Sequence, residues 1–428
     1  MITKPNASSP LRTPRTEFQG YSIFIATLSL LLTLGVQSAS AQIPLVNGAN
    51  HPETLVVGAT NTYTFSANAG DNLVLRAGAG TYTPRIVVYD PNGAPLAGST
   101  SASSANRDAE ATAAAPVTGT YTVRVSSFYA GGSGDYILRF ARIPGEFTVS
   151  AGDEGGPMSN GWQHTGTIDM GDLDVWTFMA NAGDNLVVRM GGTGFTPLIR
   201  LYGPDGALLS ANTSASSANR DGEVSFRATN GGPFTVIAST YYINGSGPYI
   251  VSLAKSPGAL VIAPGDTGGP LTNGLQHTGT IDVGDLDVWT FMANAGDNLV
   301  VRMGGTGFTP WVRLYGPDGA LLSASTSAST ANRDGEVSFR ATNSGPFTVI
   351  ASTYYLNGDG AYILSLAKPG EAIILAPGDT GGPMTNGWQH TGTIDVGDLD
   401  VWTFMAEAGD SIIARMGGDG FTPLVRLY

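Results

Sequence analysis

Three aspartates recur in one pattern along this chain: Asp169, Asp172 and Asp174, then Asp282, Asp285 and Asp287, then Asp395, Asp398 and Asp400. Each trio straddles a glycine-containing turn. Hard carboxylate oxygens grouped in such a turn are what calcium takes, with backbone carbonyls and water completing six to eight positions. The same residues equally suit a solvated turn ahead of an edge strand, because aspartate is favoured by turn geometry alone. Both readings stand at this level. Where a further trio would fall upstream, the chain has Val56, Ala59 and Asn61. The fold therefore tolerates loss of the acids, and packing does not account for them.

Other chemistry is thinner. His51, His164, His277 and His390 fall at one register, and a single imidazole per copy cannot build a zinc site, which takes three or four protein ligands. A structural strand histidine near a linker is the reading. No Gly-x-Ser-x-Gly elbow or His-Glu-x-x-His motif occurs. The absence of cysteine removes disulfides, thiolate metal sites and cysteine nucleophiles. The visible chain is expected to be non-catalytic. Tyr241-Tyr242 and Tyr354-Tyr355, with Phe128-Tyr129, end a strand before a glycine loop. Exposed rings there would stack on a sugar or a polypeptide; alternatively one ring packs under the loop and the other covers a sheet edge. In Asn106-Arg107-Asp108, Asn219-Arg220-Asp221 and Asn332-Arg333-Asp334 one arginine sits in an uncharged stretch and reads as an ion-pair or backbone anchor.

These residues are positioned by a unit that repeats every 113 residues, as Trp176, Trp289 and Trp402 show, with Tyr63 one step earlier. Asp71, Asp184, Asp297 and Asp410 keep the same step. A period this long is a whole domain rather than a solenoid or propeller unit of roughly 20 to 50 residues. Glycine is abundant, and strand alternation points Trp176, Phe178 and Ala180 one way while Val175, Thr177 and Met179 point the other. Turn sequences such as Asn181-Ala182-Gly183-Asp184 and Gly203-Pro204-Asp205-Gly206 separate the runs. The reading is all-β: tandem antiparallel β-sandwiches of jelly-roll type, eight strands to a copy. Repeats are expected at 42–146, 147–258 and 259–371, with a truncated fourth at 372–428. Short Pro-Gly linkers at Pro144, Pro257 and Pro369 predict a string of beads with restricted orientation.

Residues 1–41 carry Lys4, Arg12 and Arg15, an apolar run from Tyr21 to Val36 and then Ala39-Ser40-Ala41. They read as a secretory signal peptide. Beyond it 18 basic face 33 acidic side chains, a surface that repels nucleic acid, and no membrane span follows. A secreted, extracellular or cell-surface location is expected, with the periplasm as a stage in transit. The fourth copy stops at Tyr428, the counterpart of Tyr202. Half a sandwich would expose its inner face, so the sequence reads as a fragment.

The ordered series Gly171-Asp172-Leu173-Asp174-Val175-Trp176-Thr177-Phe178, Ala182-Gly183-Asp184, Leu201-Tyr202-Gly203-Pro204-Asp205-Gly206, Gly232-Pro233-Phe234-Thr235-Val236 and Gly247-Pro248-Tyr249 resembles the bacterial pre-peptidase C-terminal domain family. The resemblance implies small secreted β-sandwiches similar to clostridial collagen-binding domains. Such modules are non-catalytic, are appended to exported peptidases and other hydrolases, and bind calcium in some relatives. Where many members carry a paired-aspartate loop, this chain has Ser216-Ser217-Ala218-Asn219-Arg220-Asp221. Two functions follow as expectations. One is a non-catalytic spacer and adhesion array that binds an extracellular polysaccharide or protein, with calcium as its one candidate cofactor. The other is the amino-terminal accessory region of an exported hydrolase whose catalytic domain lies past residue 428.

Overall fold

Short alternating runs between glycine turns become strands. A computed structural model describes residues 42–99, 101, 103–212, 216–325 and 329–428; the expected leader, 1–41, lies outside them. Copy one contains β1 (Ile43–Pro44), β2 (Asn50–Leu55), β3 (Asn61–Ala67), β4 (Asn72–Ala79), β5 (Pro84–Tyr89), β6 (Pro95–Gly98), β7 (Asp108–Ala114), β8 (Gly119–Ser127) and β9 (Gly134–Ile143). Copy two repeats them as β10 (Gly155–Pro157), β11 (Gln163–Ile168), β12 (Asp174–Ala180), β13 (Asn185–Gly192), β14 (Pro197–Tyr202), β15 (Leu208–Ala211), β16 (Asp221–Arg227), β17 (Gly232–Thr240) and β18 (Gly247–Ser256). Copy three runs β19 (Gly268–Pro270), β20 (Gln276–Ile281), β21 (Asp287–Ala293), β22 (Asn298–Gly305), β23 (Pro310–Tyr315), β24 (Leu321–Ala324), β25 (Asp334–Arg340), β26 (Gly345–Thr353) and β27 (Gly360–Ala367).

Each of these three copies is all-β and builds one five-stranded and one four-stranded sheet. In copy two the orders are β10-β12-β17-β14-β15 and β11-β18-β13-β16. This interleaving, in which neighbours in the sheet are distant in the chain, is the double-sheet jelly-roll pattern. Among the described residues each of these copies has nine strands rather than eight. The extra one, Gly155–Pro157, pairs parallel to β12. Its Gly-Gly-Pro sequence has no alternation to reveal it, and Gly155 and Gly156 both take positive φ, which suits glycine. The repeating aspartate locks a turn: Asp184 Oδ2 accepts from Asn181 N at 2.9 Å and from Lys255 Nζ at 3.3 Å.

Three separate cores form, each from one copy. Trp176, Phe178, Val188, Ile199, Val236 and Leu253 fill the second, and the counterparts of these residues fill the first and third. Alternation in β12 breaks at one point, because Val175, on the outer face, is buried too. It joins Leu173, Tyr202 and Ile237 of copy two against Val74, Ala141 and Ile143 of copy one. Val187 and Ala254 meet Leu286, Val288, Tyr315 and Ile350 in the same way at the next junction. Residues Ile43–Tyr428 thus cluster as one compact unit. The expected string of beads with restricted orientation is drawn together into a docked stack. Burying a Leu, Ile or Val contributes about 1.5–3 kcal/mol. Several such residues per junction outweigh the ordering of a linker that is already tethered.

The linker itself is pinned. Asn160 Nδ2 donates to Lys255 O at 2.9 Å and Ala259 O at 3.1 Å, and its Oδ1 accepts from Lys255 N at 2.6 Å. Of residues 372–428, only Gly382–Pro383 (β28) and Trp402–Thr403 (β29) pair. Met405 and Ile413 there are almost wholly exposed.

Candidate metal sites at the junctions between copies

A set of polar contacts recurs at the first two junctions. Arg76 of copy one pairs with Asp108 at 2.7 Å and reaches into copy two, where its Nη2 donates to Thr240 Oγ1 at 2.5 Å. Arg189 repeats this with Asp221 at 2.5 Å and Thr353 of copy three at 2.6 Å. Asn244, held at φ 66°, accepts from Arg107 N at 2.6 Å and donates its own N–H to Asp108 at 3.1 Å. Asn357 does the same to Arg220 and Asp221. Arg200 pairs with Glu110, and Arg313 pairs with Glu223 at 2.6 Å.

Copy one lacks this receiving face. Where Leu173, Val175, Arg200, Ile237, Thr240 and Asn244 stand in copy two, copy one has Thr60, Thr62, Val87, Arg124, Ser127 and Gly131. A polar outer face on the first unit of an array is a cap. The acids are lost there together with the docking contacts, which accounts for Val56, Ala59 and Asn61.

The carboxylates meet at these same junctions. Asp153, Asp172 and Asp174 form one group, Asp266, Asp285 and Asp287 a second, and Asp379, Asp398 and Asp400 a third, each with ligand atoms within 4.8 Å of one another. Oxygens on opposite sides of a calcium ion, each about 2.4 Å from it, lie about 4.8 Å apart. The groups thus have calcium-sized spacing. Asp169, Asp282 and Asp395 are not among them. Each opens the turn instead: the Asp172 N–H donates to Asp169 O at 3.1 Å, and Asp169 N donates to Asp172 Oδ2 at 3.0 Å. The third carboxylate comes from the linker, in the repeated Gly-Asp-x-Gly-Gly-Pro segment at Asp153, Asp266 and Asp379. Its recurrence with the other two acids, and its pairing with a strand rather than a turn, is the signal that local spacing missed.

Burial sets the chemistry. Asp172, Asp174, Asp285, Asp287 and Asp398 are at most 2 % exposed. Asp174 Oδ2 accepts from Tyr249 OH at 2.6 Å, which accepts from Trp176 Nε1 at 3.1 Å. Tyr362 and Trp289 repeat the chain onto Asp287. In copy one Asn61 donates to Tyr136 OH at 2.9 Å instead. Desolvation, then neighbouring carboxylates, pushes Asp174 and Asp287 well above the usual carboxylate range. The same causes push Asp285 up to about 7. Desolvation raises Asp153 and Asp400 to about 6. Among the described residues, Asp174 Oδ1, Asp285 Oδ2, Asp287 Oδ1, Asp398 Oδ2 and Asp400 Oδ1 are buried without a hydrogen-bond partner. Such oxygens are costly unless protonated or neutralised by a cation. The donor set, hard oxygens only, fits a metal ion such as calcium or magnesium and not a soft one.

The remaining candidates lie elsewhere. Each histidine accepts a backbone N–H with Nε2, as His164 does from Ser159 at 3.1 Å and His277 from Thr272 at 3.0 Å. Each also packs against the core tryptophan where one is present, as His164 does on Trp176 at 4.8 Å. Desolvation lowers the pKa of both rings. Tyr241 and Tyr242, like Tyr354 and Tyr355, form edge-on pairs with centroids 5.0 Å apart. All four rings are 37–41 % exposed and none belongs to a carboxylate group. Trp311 joins the third pair, 5.8 Å from Tyr354.

The family model of the bacterial pre-peptidase C-terminal domain matches residues 59–127 and 285–355. No curated protein matches the chain. Among solved structures, the pre-peptidase C-terminal domain of a collagenase from Bacillus anthracis is 19 % identical, with 24 % of this chain and 95 % of that one covered and a TM-score of 0.21. A protein from Eubacterium rectale is 10 % identical over 54 % of this chain and 84 % of its own, with a TM-score of 0.21. Pre-peptidase C-terminal-like domains are therefore present in the tandemly repeated β-sandwich units of this chain.

Proposed function

We propose that this chain is a secreted, non-catalytic spacer whose β-sandwich copies dock in one fixed relation and are stiffened by calcium at the acidic groups of the junctions. The observation that carries this reading is the coincidence of the buried carboxylate groups with the docking face, and their joint loss in copy one. Asp266, Asp285 and Asp287 would hold one ion, and Asp379, Asp398 and Asp400 a second. Bound calcium would supply positive charge to oxygens that have no other partner. The exposed pairs Tyr241-Tyr242 and Tyr354-Tyr355 would then be presented at a constant spacing to an extended polysaccharide or protein such as collagen, raising avidity through weak repeated contacts. Small-angle X-ray scattering of the full chain tests the spacer reading: with millimolar calcium the profile is that of a stiff rod, and with a chelator it shows added flexibility. A flexible profile under both conditions overturns it.

The family match also favours a role beside an exported hydrolase. The full reading frame decides between the two, a catalytic domain after residue 428 supporting the second.

A further inference from the structure

The three junctions are not equivalent, and the difference lies in one cross-strand pair of the preceding copy. In copy one Asn50 on β2 sits opposite Arg139 on β9. In copy two Gln163 sits opposite Ser252, and in copy three Gln276 sits opposite Ser365. Each pair faces the carboxylates of the next copy. Arg139, 3 % exposed, pairs through Nε with Asp172 Oδ1 at 2.5 Å, donates from Nη1 to Gly171 O at 3.3 Å and is steadied by Asn50 Oδ1 at 3.0 Å.

At the second junction that seat is filled by neutral groups. Gln163 Nε2 donates to Asp266 Oδ1 at 3.0 Å, and Ser252 Oγ is 3.4 Å from Asp285 Oδ1. At the third, Gln276 donates to Asp379 at 3.0 Å and Asp398 at 2.8 Å, while Ser365 Oγ is buried without a partner among the described residues. The unsatisfied oxygens follow the same division. The first group leaves one, Asp174 Oδ1; the second leaves Asp285 Oδ2 and Asp287 Oδ1; the third leaves Asp398 Oδ2 and Asp400 Oδ1. Glu154, which stands where Thr267 and Thr380 stand in the later copies, turns to the Thr167 backbone and stays out of the group.

We infer that Arg139 is a built-in cation that takes the place of a metal ion at the first junction, so that this junction is locked without calcium while the second and third require it. A guanidinium and a divalent ion neutralise the same clustered carboxylates, but only the ion can be withdrawn. The chain would therefore hold a permanently rigid base, copies one and two, followed by junctions whose stiffness follows the calcium level outside the cell. The inference deepens the proposed calcium-stiffened spacer and rests on it.

Calcium bound per full-length chain, counted by native mass spectrometry and by isothermal titration, tests it. Arg139→Ser, and Asn50→Gln with Arg139→Ser to rebuild the pair of the later copies, are each expected to gain one ion over the wild type. Ser252→Arg is expected to lose one, and it serves if the first variants do not fold. Wild type binding calcium with these counts unchanged overturns the role of Arg139 alone. No binding by wild type or any variant overturns the calcium reading and this inference with it.

Discussion

Gly191 in copy two lies directly against the Val283–Gly284 peptide of copy three, so that a Cβ on Gly191 would overlap the Val283 carbonyl oxygen. Gly78 meets Met170 and Gly171 in the same way at the first junction, and Gly304 meets Val396 and Gly397 at the third. The backbones of successive copies touch, and only glycine permits it. Gly58, the counterpart of Gly171 on the capped face of copy one, has open space around its Cβ position.

Gly191→Ala is therefore expected to open the second junction while leaving each sandwich folded. Overpacking of this kind is destabilising by about 1–3 kcal/mol, and here it falls on the interface. The expected result is unchanged far-ultraviolet circular dichroism with a larger maximum dimension in X-ray scattering. Gly80→Ala, at a site with nothing near its Cβ, is the control. Equal dimensions for both variants would falsify the close-contact account.

Calcium stabilisation should grow with pH. Burial raises Asp285 to about 7 and Asp400 to about 6, against about 3.9 in an unfolded chain. Between those values the folded state binds more protons, so without metal its stability falls as pH rises from about 4 to about 7. Calcium binds the ionised carboxylates and cancels that loss. His164 and His277, whose pKa values burial lowers, act in the other direction, with stability lost as pH falls below about 6.5. Subtracting melting temperatures in chelator from those in calcium removes the histidine contribution. The difference should widen from pH 4.5 to 7.5; a constant difference would show that these carboxylates do not hold the ion.

Asp287→Asn tests whether the acids serve a ligand rather than the fold. Copy one already uses Asn61 at this position, bonded to the tyrosine that Asp174 and Asp287 accept from in later copies. In chelator at neutral pH the variant should be more stable than wild type by about 1–3 kcal/mol, because a poorly satisfied buried carboxylate is removed. In calcium the order should reverse, with affinity at that junction reduced at least about tenfold. Denaturant midpoints under the two conditions give the sign.

The sandwich was legible because strands and turns are local: alternation such as Trp176, Phe178 and Ala180, and turns locked by Asp184, are written in consecutive residues. Asp172 and Asp174 were legible for the same reason. Asp153 was not, since about twenty residues that include β10 and β11 separate it from its partners, and Arg139 belongs to a different copy altogether. The outer-face burial of Val175 was hidden likewise. Alternation reports which residues leave a sheet's inner face, but not whether a neighbouring unit covers them. What did carry that information was the contrast between copies, because Thr60, Thr62, Arg124, Ser127 and Gly131 on the face of copy one give way to the apolar and hydrogen-bonding groups that the junction uses in copy two.

That contrast supplies the last test. Leu173→Thr, Val175→Thr and Ile237→Arg together transplant the face of copy one, with its Thr60, Thr62 and Arg124, onto copy two. Each residue has a precedent at the same sheet position, so the core of Trp176, Phe178 and Val236 is left alone. Three apolar burials of about 1.5–3 kcal/mol each are withdrawn from the first junction, and a charge is set against Val74 and Ile143. The expected outcome is protease cleavage in the linker following Ile143, where wild type resists, with copies two and three still docked. Resistance equal to wild type would mean that the polar contacts of Arg76, Asn244 and Arg139 hold the junction without its apolar patch, and that the polar face of copy one is not what keeps it from docking.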